Sequence, residues 1–200
     1  MARGRKVNSN GERSKQLLLE KAIELFSTHG YHETKISDIV TAANVTQPTF
    51  YLYFKSKEKL FNDLNEEFKK NLLSIFTSKL ESLTNNSITP REFMHECVEN
   101  AFTYFNDNPN LTKIGFYESQ SANELKDQIV QLFIKALSEQ GELILHNEIE
   151  VEIDTLAYSI LGSIERLTLK YILTKQQTPQ KLANDILNIY FSANTAAVTR

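Results

Sequence analysis

Two hundred residues, 41% hydrophobic and 24% charged, give enough chain for one large or two small domains around a buried core. No apolar run reaches the roughly 18–20 residues of a membrane span, and the charged start MARGRKVNSNGER has no apolar segment behind it, so a cytoplasmic protein is expected. The net charge of −3 hides an uneven spread, with 10 Lys/Arg against 6 Asp/Glu in residues 1–60 and 12 against 19 in residues 61–200, while Cys97 alone excludes an internal disulfide or a multi-cysteine metal cluster.

Helical periodicity dominates, and it predicts an all-α chain of about nine helices at 12–28, 37–43, 47–53, 57–83, 90–106, 109–118, 122–146, 153–174 and 179–192. The first presents Leu18, Leu19, Ala22, Ile23 and Phe26 on one face and ends at Gly30. Ser37 suits the N-cap of the second, with Asp38 placed for the helix dipole. Asn44 then stands where the backbone turns left-handed. Thr46 caps the third helix, its side chain within reach of the Thr49 amide, and Pro48 occupies the first turn.

Ser56 opens the long fourth helix, with Leu60, Leu64, Phe68, Leu72, Ile75 and Phe76 among its apolar positions. Thr89-Pro90-Arg91-Glu92 and Ser121-Ala122-Asn123-Glu124 read as capping boxes, and Asn108-Pro109 and Thr178-Pro179 as further helix starts. Residues 148–154, EIEVEID, alternate like a strand but have none to pair with, so a loop entering a helix is expected.

The spacing around residues 37–53 is that of a helix-turn-helix. Ile36, Ile39, Val40, Ala43, Val45, Phe50 and Phe54 would share a core with helix one, leaving Thr46, Gln47, Thr49, Tyr51 and Tyr53 on or near the open side. A helix in the major groove reads base edges with its N-terminal residues. Gln47 can pair with adenine, Thr49 can bond a base or touch a thymine methyl, and Tyr51 and Tyr53 can hold phosphate. Lys57, at a helix start that itself favours anions, is a further phosphate candidate, as are Ser37 and Lys35. Tyr53 reads equally as a core aromatic, and Tyr51 less so. Arg3, Arg5 and Lys6 form a basic arm, either on DNA or simply solvated.

Residues 12–61 resemble the DNA-binding domain of TetR-family transcriptional repressors, through Ala22 and Phe26, Gly30-Tyr31, Thr34, Ser37-Asp38-Ile39, Ala42-Ala43, Val45, Thr49-Phe50-Tyr51, Tyr53-Phe54, Ser56-Lys57-Glu58 and Leu60. Asn44 departs from the glycine common there, and Gln47-Pro48 from a pair that is often Lys-Gly, which touches the bases read rather than DNA binding itself. The expected division is a helix-turn-helix head with its arm, residues 1–56, and a ligand-sensing and dimerising bundle, residues 57–200.

One head spans few base pairs, so a homodimer on an operator of two-fold related half-sites is expected. The last two helices are apolar around much of their circumference, and Leu156, Ile160, Ile164, Leu167, Ile186, Ile189 and Tyr190 are the candidate dimer residues, with an ordinary monomer core as the other reading. In the family the bundle encloses a cavity whose occupation resets the spacing of the heads. The resemblance thus implies a small, largely apolar effector near Phe68, Leu72, Phe76, Phe102, Phe105, Phe116, Tyr117, Phe133 and Glu165. The aromatics read also as core filler, and Glu165 as a partner of Arg166 or Lys170. No nucleophile–base set, phosphate-cradling glycine loop or metal-ligand spacing of the four histidines appears, so neither an enzyme nor a cofactor is expected.

Overall fold

The computed structural model describes residues 7–78, 80, 83, 85, 87–138 and 151–191. Among them are nine helices: α1 Val7–His29, α2 Ile36–Ala42, α3 Gln47–Tyr53, α4 Lys57–Thr77, α5 Pro90–Asp107, α6, α7 Ala122–Ser138, α8 and α9 Pro179–Tyr190. α6 is Pro109–Thr112 widened into a π-helical turn at Lys113–Glu118, and α8 is Ile153–Leu167 widened likewise at Thr168–Ile172. The expected all-α fold is what forms.

Most differences lie at helix ends. α1 begins before Glu12, at Val7. α4 stops at Thr77, and of the rest of the expected span to 83, Leu80 and Leu83 are helical while residues 79, 81 and 82 lie outside the described residues. α2 starts one residue early. Lys35 rather than Ser37 is its N-cap, and the Asp38 carboxylate accepts the Lys35 N–H at 2.9 Å. The expected Thr89 box forms as read, with Thr89 Oγ1 accepting from the Glu92 amide and Glu92 Oε2 from the Thr89 amide. Thr178 caps α9 through the Lys181 amide. The expected end of the seventh helix, 139–146, and the first part of the 148–154 patch lie outside the described residues, whereas Val151 and Glu152 lead directly into α8.

Packing divides the chain into two compact units, one running to Phe68 and including Asn110–Ser119, the other holding Lys69–Pro109 and the chain from Gln120 onward. The first has Leu18, Ala22, Phe26, Ile39, Val40, Ala43, Phe50, Phe54, Leu60, Leu64 and Ile114 as its core. α1, α2 and α3 pack mutually, and the π turn of α6 lies on α1. Gly115 in that turn is pressed on the buried Phe68 so closely that a Cβ would fall 2.4 Å from the ring Cδ1.

In the second unit α5 packs on α9 and α7 on α8. Polar ties join the elements: Arg91 to Asn188 at 3.3 Å, His95 to Asn184 at 2.8 Å, and Ser163 Oγ to Tyr190 Oη at 2.8 Å. One group of expectations needs correcting. Leu156, Ile160, Ile164 and Ile186, read as dimer residues, are buried inside the single chain because α5, α7, α8 and α9 close on one another. Leu167 and Tyr190 are half-buried, and Ile189 is 65% exposed.

Candidate nucleic-acid interface

α3 is only seven residues long, too short to stand alone, so its geometry comes from its anchors. Phe50 and Phe54 are buried beneath it, with ring centres 5.5 Å apart. The turn before it works as the sequence suggests: Asn44 adopts φ 52°, and the Val45 N–H bonds Val40 O at 2.9 Å. Thr46 holds extended backbone ahead of Gln47, but its hydroxyl meets the Thr49 hydroxyl at 2.9 Å rather than the Thr49 amide. The two threonines brace one another, and the hydrogen-bonding reach of Thr49 is shared with Thr46.

The open side of α3 carries Thr46, Gln47, Pro48, Tyr51 and Leu52, all exposed, with Thr49 half-buried. Tyr51 is held edge-on against Phe50, the ring centres 5.5 Å apart and 88° to one another, so its ring is directed rather than free. Tyr53 turns inward. It packs against the head's core, and its hydroxyl stands where a Cβ on Gly11 of α1 would meet it at 3.2 Å. Of the two readings open for Tyr53, the structure favours the packed aromatic.

Lys57, read as a phosphate candidate, has internal partners. Its ammonium donates to Tyr31 O at 2.7 Å and Thr34 O at 2.8 Å, lies 3.5 Å from His32 O, and sits 4.3 Å above the Tyr31 ring centre. The ammonium is thus bonded to carbonyls of the loop between α1 and α2. Thr34, itself buried, donates to Gly30 O at 2.8 Å, and Gly30 takes φ 84°. Lys57 therefore fixes the loop that aims α2.

Lys35 and Ser37 are exposed, and the Ser37 hydroxyl donates to Asp38 Oδ1 at 3.2 Å. The Lys35 N–H holds the Asp38 carboxyl below its ordinary range against the opposing effect of burial, with the Ser37 hydroxyl a lesser help, so it stays ionised at the α2 N-terminus. Arg3 and Arg5 lie outside the described residues.

Leu52 escaped the sequence reading, although its signal was there. Two residues on from Phe50 is a rotation of about 200°, so a buried Phe50 forces Leu52 outward. It is 78% exposed. Lys55, also exposed, was missed for want of any motif around it.

The residues read as an effector site are placed as follows. In the first unit Phe68 and Phe116 are buried and Tyr117 is half-buried. In the second, Leu72, Phe76, Phe102, Phe105 and Phe133 are buried, and Phe76 meets Phe133 edge-to-face at 5.4 Å. Glu165 pairs with neither Arg166 nor Lys170. It binds Lys126 of α7 at 2.6 Å, in a groove shared with Asn123, Asp127, Tyr158, Leu161 and Gly162. Among the described residues no helix is long and apolar enough to cross a membrane.

Known proteins match this arrangement. A family model described as bacterial regulatory proteins, tetR family, matches residues 18–64, overlapping most of the segment that carries the resemblance. The chain is 33% identical over 186 residues to an uncharacterized HTH-type transcriptional regulator, YdgC, of Bacillus subtilis, covering 92% of this chain and 93% of that protein. It is 24% identical over 185 residues to the fatty acid metabolism regulator protein of Bacillus subtilis, covering 88% and 92%. A solved structure of the transcriptional regulator FadR from Bacillus subtilis, in complex with stearoyl-CoA, shares the fold at TM-score 0.65 and 22% identity, covering 89% of this chain and 98% of that one. These relatives are regulators of transcription, not enzymes.

Proposed function

Because the chain belongs to the TetR family of bacterial regulatory proteins, and so is a DNA-binding transcriptional regulator, we propose that it acts as a homodimeric repressor. A small, largely apolar effector entering the helical body releases it from an operator with two-fold related half-sites. The observation that carries this reading is the open face of α3. Gln47, Tyr51 and Leu52 stand exposed on a helix whose other side is anchored by Phe50 and Phe54. A side chain with paired donor and acceptor at the first turn of such a helix suits an adenine edge.

The basic balance of residues 1–60 supports contact with a polyanion, Lys35 and Lys55 supplying exposed charge. Support for an apolar effector comes from the aromatic content of the body and from the relative named for fatty acid metabolism. Long-chain acyl compounds are therefore the first probes to add.

The test begins with duplexes selected from a randomised pool by the full chain. Binding should weaken steeply with salt, and the selected sites should be two-fold symmetric. Gln47→Ala should change the base preferred at one position per half-site, at a cost of about 1–3 kcal/mol. Lys35→Ala should weaken all duplexes alike and lower the salt slope by about one per half-site. Recovery of no duplex at low salt would sink the reading, and an effector panel including fatty acids and acyl-CoA that leaves binding untouched would sink its second half.

A further inference from the structure

We propose that Leu52 reads thymine C5-methyl groups, as part of an apolar facet that α3 carries into the major groove. This rests on the reading that α3 is the groove-entering helix, and it adds a chemical rule for the half-site. Pro48, Tyr51 and Leu52 fall at i, i+3 and i+4, so they form one contiguous patch on the exposed side of α3. Leu52 is 78% exposed, the highest value among the exposed large hydrophobic side chains of the described residues. Its neighbour Tyr51 is half exposed and fixed by its edge contact with Phe50.

The choice of occupant follows from chemistry. The patch reaches Gln47 through Tyr51, four residues on, so it shares the exposed side of the same short helix with Gln47. Leucine has no donor or acceptor and cannot hold a phosphate or the polar atoms of a base. On the major-groove edges of the four base pairs, the apolar feature is the thymine methyl. Tyr51 and Pro48 flank it with further apolar surface. The alternative source of an adenine–thymine preference, the Gln47 amide, responds to the adenine N6 and N7 and is blind to the methyl.

Deoxyuridine keeps every hydrogen-bonding group of thymidine and lacks only the methyl, which separates the two. Each thymine of a selected duplex is replaced in turn by deoxyuridine, and binding of the full chain is measured at one salt concentration. At one or two positions per half-site, affinity should fall about fourfold for each methyl removed, the value of a buried methyl-sized group. With Leu52→Ala, whose side chain is exposed and whose fold is checked by thermal melting, the same replacements should cost less than twofold.

A flat deoxyuridine scan with the native chain overturns the proposal. So does an unchanged deoxyuridine loss in Leu52→Ala, which would assign the methyls to Thr49, Pro48 or Tyr51. A change in sedimentation of Leu52→Ala without change in the scan would make the patch a protein contact and overturn it too. Each of these leaves salt-dependent binding of the native chain intact. Failure to recover any duplex removes the broader reading as well.

Discussion

The ammonium of Lys57 stands 4.3 Å above the Tyr31 ring while donating to the Tyr31 carbonyl at 2.7 Å, so one residue of α4 holds both the ring and the backbone of Tyr31 in the loop that precedes α2. A cation over an aromatic ring and bonded to neutral carbonyls is an internal brace. Lys57→Met should lower the stability of the head by about 1.5–3 kcal/mol, the range for hydrogen bonds to a charged group. Urea unfolding followed by tyrosine fluorescence measures it. The salt slope of DNA binding should stay as in the native chain. A slope reduced by about 0.9 per half-site with stability unchanged would restore the phosphate role instead.

That residue also marks where sequence reasoning stopped. The scaffold was legible: Asn44 in the left-handed region, Gly30 at a chain reversal, and Phe50 and Phe54 as anchors all follow from local rules. The internal partners of Lys57 were not legible because they lie 23 to 26 residues away, in a loop whose path no local pattern specifies. Leu156 and Ile160 were misassigned for a related reason. Periodicity reveals which face of α8 is apolar, but the packing of α7 and α8 decides whether that face is already covered by the same chain.

The contact between Gly115 and Phe68 makes a second prediction. An alanine Cβ would meet Cδ1 at 2.4 Å, Cγ at 2.5 Å and Cε1 at 3.0 Å, and the ring is fully buried with no room to retreat. Gly115→Ala should cost about 1–3 kcal/mol through overpacking. Phe68→Leu in the same chain frees part of that space, so the double variant should be more stable than the sum of the two single losses. Equal unfolding midpoints for the native chain and Gly115→Ala would refute the close approach.

Acid should act on the cap of α2. Hydrogen bonds from the Lys35 N–H and the Ser37 hydroxyl hold the Asp38 carboxyl below its ordinary value. A depressed folded-state pKa gives stability that is fully present above the unfolded value of about 3.9 and is lost as pH falls through the lower, folded value. Asp38→Asn should therefore be less stable than the native chain at neutral pH, and the difference should close in strong acid. Glu92, held low by the Thr89 N–H, contributes in the same direction to α5. Unfolding midpoints measured from pH 7 to pH 2 decide the matter, and a gap that stays constant over that range would rule out the ionised cap.

The last prediction concerns the surface through which two copies would join. Of the candidate dimer residues Ile189 does face outward, 65% exposed on α9, whereas Tyr158 and Leu169, exposed on α8, were not among them. Tyr158, Gly162, Arg166 and Leu169 recur along one exposed side of α8, with Gly162 leaving room for a close helix. Tyr158→Asp and Ile189→Asp each place a charge where a partner would have to bury it, at a cost of several kcal/mol unless it is paired. Each should shift sedimentation toward the monomer and weaken operator binding at least tenfold, with the melting of the isolated chain little changed. Leu156→Ala should behave oppositely, losing about 2–4 kcal/mol of stability as a core cavity forms. Were Leu156→Ala to separate the dimer without destabilising the chain, while Ile189→Asp left it intact, the interface would lie on the buried face after all.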